Sequence, residues 1–378
     1  MTQPSSIPGG QDHDPEPRKG SGTPEPVHYA EQALLGALLL DPVHRESIGP
    51  LQLAHFGHPF HRALFSAIQA LDLPDPAEHA SSLVWLDAVL DAARAETRGL
   101  TAGYLHTLIQ ACPRTEHAPA YARIIRAEHT RRMLRIHAER LAQTAIDPTL
   151  PDPVRTVIEE TDTLARFLKG AASLAGHAAF LPRTPIPAAP EQSPTEEELE
   201  EERLLLATTI ARPAAMTEMS WLRAQDFTSP LHATLFACLT TLVRRGDLVD
   251  PVTVLCHAQH HGLPPDIDPD AIIRLLSALA GHPEYWGERI LQRSLLAHTH
   301  TAAVHIRTLA DEPANTIEQL LTGSRRVLAH LRAVQARWQA IQPEPPTPAQ
   351  RKTDQPTQRG PSPPSHRTGS LAITRAGR

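Results

Sequence analysis

A chain of 378 residues has room for two domains of ordinary size plus tails, and its formal charge of −6 argues neither for nor against a polyanionic partner. The three cysteines, Cys112, Cys238 and Cys256, form no Cys-x-x-Cys pair, no apolar run reaches the roughly 18 residues of a membrane span, and no charged and apolar leader opens the chain. These features exclude a disulfide scaffold and a helical membrane protein, and the expectation is a soluble protein of a reducing cytoplasm. Aromatics are 4% against 41% hydrophobic residues, so the core should be aliphatic and helical, because Leu and Ala lose little rotamer freedom in a helix.

Residues 1–26 are rich in Pro, Gly, Ser and charge and are expected to be disordered. From Tyr29 to Leu40, Leu34, Leu35, Leu38 and Leu39 recur at helical spacing. Asp41-Pro42 then stops the helix, since a proline disfavours helical geometry in the residue before it. A second short helix is predicted from Arg45 to Leu51, with Phe56 following as a large apolar anchor. Pro59 suits a first helical position, where its missing N–H costs nothing, and Phe60, Leu64, Phe65, Ile68 and Leu71 share one face. Ser81 and Ser82 offer a later cap, and a short apolar helix runs from Tyr104 towards Pro113. Two long helical patterns, Pro119 to Ile146 and Val154 to Lys169, are parted by Asp147-Pro148 and read as an αα-hairpin. Its apolar positions Ile124, Leu134, Leu141, Ile158, Leu164 and Leu168 need a surface to bury against, and a second hairpin would supply one.

Residues 171–195 carry five prolines from Pro182 to Pro194 and read as a stiff linker. The glutamate run from Glu196 to Glu202 suits the positive end of a helix dipole and reads as a solvated helix start, the alternative being an acidic docking patch. The pattern of the first half then returns at a constant spacing of 171 positions, from Glu31 and Glu202 to Leu71 and Leu242. Along it Leu34 and Leu35 meet Leu205 and Leu206, Phe56 meets Phe227, His61 meets His232, and Leu64 and Phe65 meet Leu235 and Phe236. So many matches in one register point to a domain-sized internal duplication, with these residues as the repeated core. Ser229 before Pro230, and Asp250 before Pro251, are N-caps by type. Tyr285 to Ala310 and Thr316 to Trp338 make the second hairpin, and the Pro-rich residues 341–378 make a disordered basic tail. The predicted fold is all-α: two tandem helical domains, 27–170 and 196–340, each a compact helical body followed by an αα-hairpin at about 119–169 and 285–338.

Few side chains invite chemistry. His55, His58 and His61 recur every third residue, and Cys256, His257, His260 and His261 cluster near a helix end. A zinc site needs converging ligands, usually from paired knuckles, so these histidines read as structural or solvated and no metal site is predicted. His61 and His232 are assigned to packing or capping, and Glu159, Glu160 and Asp162 to a solvated face; no catalytic or cofactor-binding residue is assigned. The basic cluster Arg123, Arg126, Arg131, Arg132 and Arg135 is the candidate partner surface, with a solvated helix face or DNA contact as alternatives. DNA contact would gain from stacking aromatics, but Tyr121 stands alone there, and Glu128 and Glu139 offset the charge.

The opening Glu31-Gln32-Ala33-Leu34-Leu35-Gly36 through Asp41-Pro42, the later His61-Arg62-Ala63-Leu64-Phe65 helix and the Asp250–Leu255 helix start resemble one family, the N-terminal domain of the bacterial DnaB-type replicative helicase. The second copy keeps Glu202, Leu205, Leu206, Phe227, His232, Leu235 and Phe236, with Ala207 where the family has Gly. The resemblance implies a noncatalytic collar domain that dimerises through its hairpin and offers a docking surface to primase. A helicase motor would need G-x-x-x-x-G-K-[ST], and the dipeptide Gly-Lys occurs nowhere, so no enzyme and no cofactor is expected. The expected role is a replication-associated interaction protein that binds a helicase, a primase or itself. The alternative is a nucleic-acid-binding accessory protein using the basic hairpin and tail.

Overall fold

The computed structural model describes residues 25–174, 194–263, 267–277 and 281–342; most of the predicted linker and the tails lie outside them. Among the described residues there are fourteen α-helices and no strand, and no helix is long and apolar enough to cross a membrane. The first body holds α1 (Pro26–Leu40), α2 (Pro59–Ala70), α3 (Pro76–Ser81), α4 (Val84–Glu96) and α5 (Ala102–Gln110). Its hairpin is α6 (Ala118–Ile146) and α7 (Pro153–Leu174). The second body holds α8 (Glu196–Ala211), α9 (Ala215–Glu218), α10 (Pro230–Arg245), α11 (Pro251–His260) and α12 (Pro269–Leu276), followed by the hairpin α13 (Pro283–Asp311) and α14 (Ile317–Ile341).

Local chemistry explains most boundaries. Pro59, Pro230 and Pro251 each sit in the first turn, the Ser229 hydroxyl accepts from His232 N–H, and Asp250 accepts from the N–H groups of Val252 and Thr253. Thr195 and Glu198 form a reciprocal capping box at the start of α8. The helix predicted over Arg45–Leu51 is instead a 3₁₀ turn, Pro42–Glu46, started by the Asp41 carboxylate on Val43 N–H. Gly49, at a φ of 68°, and Pro50 prevent its continuation. The first residues of the predicted linker continue α7 to Leu174, because no proline or glycine stands between Gly170 and that residue.

The two bodies repeat each other closely. Phe56 and Phe65 pack with ring centroids 4.7 Å apart and a 39° tilt, and Phe227 and Phe236 do so at 4.8 Å and 37°. Leu34, Leu35, Leu64, Leu205, Leu206 and Leu235 are fully buried, as are Phe65 and, within a few per cent, Phe56 and Phe236. One difference has a backbone cause. A Cβ on Gly36 would come within 2.1 Å of the Leu108 carbonyl oxygen, so α1 and α5 cross with their backbones touching. Ala207 stands at that place in α8, where the crossing on α12 is correspondingly sparser.

The hairpins meet each other. α6 packs along α13, α14 along α7, and each hairpin closes on itself, giving a four-helix bundle between the two bodies. Leu134, Ala138, Leu141, Val154, Leu164 and Leu168 of the first hairpin share one continuous core with the second copy, whereas the first body keeps a separate core of its own. Ile158 is partly buried against the shared core. Ile124, predicted to face inwards, is 50% exposed; its neighbour Ile125 is buried in the core of the first body, one step round the helix.

Candidate interaction site

The basic cluster lies on α6, and the helix geometry divides it. Arg131 faces the second hairpin: its Nη1 donates to the carbonyls of Ala310 and Glu312, both at 2.9 Å, and its Nη2 to Asn315 O at 2.8 Å. Arg135 adds Asp311 Oδ1 at 2.9 Å and Ala310 O at 3.2 Å. Two guanidinium groups thus cap the carboxyl end of α13, where orphan carbonyls and the negative end of the dipole attract cations. Arg126 and Arg132 face the first body instead, donating to Ile48 O at 2.7 Å and to Ala54 O and His55 O at 3.2 and 3.3 Å. Arg123 is exposed and makes no hydrogen bond or ion pair among the described residues. Return contacts cross the same seam: Arg307 to Glu139 at 2.8 Å, Arg332 to Asp162 at 3.2 Å, and Arg325 to Leu168 O at 3.1 Å.

Each body hangs on a buried carboxylate–histidine strut. Glu31 Oε2 lies 2.6 Å from His61 Nδ1, and its Oε1 accepts from Gly57 N–H at 2.7 Å, while His61 Nε2 meets the Tyr104 hydroxyl at 2.8 Å. Glu202 accepts from Thr228 N–H and its hydroxyl at 2.6 and 2.7 Å, from Ser229 N–H at 3.2 Å, and pairs with His232 Nδ1 at 2.9 Å. Burial opposes the charge on both glutamates, but the hydrogen bonds outweigh it and hold each below the ordinary carboxylate range. The glutamate run is therefore only partly a solvated helix start: Glu201 is buried with Arg289 and Arg293 of α13, and Arg293 also reaches Glu202 at 3.3 Å. Both members of each strut recur at the repeat spacing in the sequence, which was the signal for the pair; their mutual contact, 30 residues apart, was not legible.

The two hairpins are moored differently. Arg337 of α14 makes a two-pronged pair with the buried Asp226 at 2.5 and 2.8 Å, and Ser294 donates to the same carboxylate at 2.9 Å. His55 occupies the position of Asp226 in the first domain, stacked edge-on against His129 at 4.5 Å. Burial, then the charges of His129, Arg126 and Arg132, push His55 down to about 4, so it is neutral at physiological pH. Beside it opens a cavity of about 410 Å³ between the copies, lined by His55, Arg123, Ile124 and Arg126 of the first domain and by Ile317 and Leu321 of α14.

A sequence model of the DnaB-like helicase N-terminal domain matches residues 24–127 and again 194–285, just over half of the chain. The chain belongs to that family. Each matched segment ends early in the first helix of a hairpin, at 127 in α6 and 285 in α13, so the match covers the bodies and most of each hairpin lies beyond it. The matched region of such a helicase is its N-terminal domain and not its catalytic ATPase domain. No match was found to a curated protein or to a solved structure.

Proposed function

We propose that this DnaB-like chain is a noncatalytic, cytoplasmic interaction protein of DNA replication, in which two helicase-collar-like domains pair within one polypeptide and bind a replicative helicase or a primase through their outward faces. The observation that supports the reading is the packing of α6 and α7 against α13 and α14, capped by Arg131 and Arg135. A lone hairpin with an apolar stripe demands a partner hairpin, and here the partner is already in the chain. Light scattering on the full chain should return a monomer, and immobilised chain should retain purified replicative helicase or primase. A hexamer, or no retention of either protein, would remove the proposal. Nucleic-acid binding is the second reading, favoured by the exposed Arg123 and Arg140 on α6. Duplex binding that weakens steeply with salt would support it.

A further inference from the structure

The strut of the first domain carries more ligand chemistry than a strut needs. His28 of α1, Glu31 one turn on, and His61 of α2 each offer one ligand atom, and the three atoms lie within 4.8 Å of one another. Glu31 and His61 are buried, and His28 is half-buried on the first turn, with its ring 5.0 Å from that of His61. The His28 ring touches Tyr29, His58 and His61 and makes no hydrogen bond among the described residues.

The second domain serves as an internal control. At the spacing of 171, Leu199 stands in place of His28, Ser229 in place of His58 and Thr228 in place of Gly57. There the Thr228 hydroxyl and the Arg293 guanidinium both donate to Glu202 Oε1. In the first domain Gly57 has no hydroxyl to give, and a Cβ at that position would meet Glu31 Oε1 at 3.6 Å. The fold therefore needs the Glu–His pair and does not need His28.

We propose that His28, Glu31 and His61 form a binding site for one divalent transition-metal ion of the zinc class, confined to the first domain. Two imidazoles and one carboxylate suit Zn²⁺ or Co²⁺ and leave a position for water. The ion replaces the proton between His61 Nδ1 and Glu31 Oε2, and that proton leaves to solvent. Outer partners for both ligands are already in place: Tyr104 Oη lies 2.8 Å from His61 Nε2, placed to accept its N–H once the ion holds Nδ1, and Gly57 N–H donates to the other carboxylate oxygen. Lone pairs must converge in the ring planes, so His28, now stacked at 29° on His61, turns about its side chain to close the site. His58 walls the site without ligating, because its Nδ1 accepts from Phe60 N–H.

The test uses the full chain stripped with chelator and titrated with Zn²⁺ by calorimetry and with Co²⁺ by visible absorption. The expected result is one equivalent per chain, with affinity falling about tenfold or more in His28→Leu, which copies the second domain and keeps its helical circular dichroism. His257→Ala with His261→Ala should leave the titration unchanged. No binding at millimolar metal, binding unaffected by His28→Leu, or binding lost only with the His257 and His261 changes would overturn the proposal.

Discussion

The second hairpin is tied to its own body by a buried ion pair, Arg337 on Asp226, while the first hairpin meets a neutral His55 and a cavity at the equivalent place. The same duplicated fold thus uses two moorings. The second domain locks its hairpin on a buried carboxylate, whereas the first ties its own through Arg126 and Arg132 on the backbone carbonyls of Ile48, Ala54 and His55, and both hairpins share one core. The lesson is that repeat symmetry in the helices does not extend to the polar contacts that fix them.

That contrast can be broken by mutation. Asp226→Ala strands Arg337, whose side chain is only 10% exposed, and should cost about 3–5 kcal/mol in denaturant unfolding. His55→Ala should cost much less, and equal losses would erase the distinction. Phe56→Ala and Phe227→Ala test the shared part of the fold; each should cost about 3–5 kcal/mol, with Phe227 towards the lower end because it is 9% exposed against 2%. A melting curve unmoved by either would make that ring peripheral. Arg131→Ala removes three charge-assisted bonds across the seam and should cost about 1.5–3 kcal/mol, read as a lower urea midpoint. A further test is the pH dependence. An unfolded chain protonates His55 near pH 6.5, while the folded chain resists until about 4, so stability falls as pH drops through that window. His55→Gln should flatten the slope between pH 4 and 6.5 in urea titrations, and an unchanged slope would assign it to other histidines.

The helices, their caps and the duplication were readable because each rests on residues near in sequence: Pro59, Ser229 and Asp250 act within their own turns. The polar contacts were not readable for the opposite reason. Arg131 caps a helix end 179 positions away, and nothing in its local pattern separates it from Arg126, which turns to the other side and binds Ile48. Ile124 and Ile125 show the same limit at one step, since both are apolar and only the tertiary crossing decides which is buried. The histidines of interest were grouped by close spacing in the sequence, yet the ones that meet in space come from α1 and α2.

Carrying both hairpins on one polypeptide makes their pairing a first-order event. Dilution from micromolar to nanomolar leaves such a pair intact, where separate chains would fall apart. Because α6 faces α13 and not a second α6, the two surfaces are also free to diverge from self-complementarity, as Arg131 on Ala310 and Arg307 on Glu139 already do.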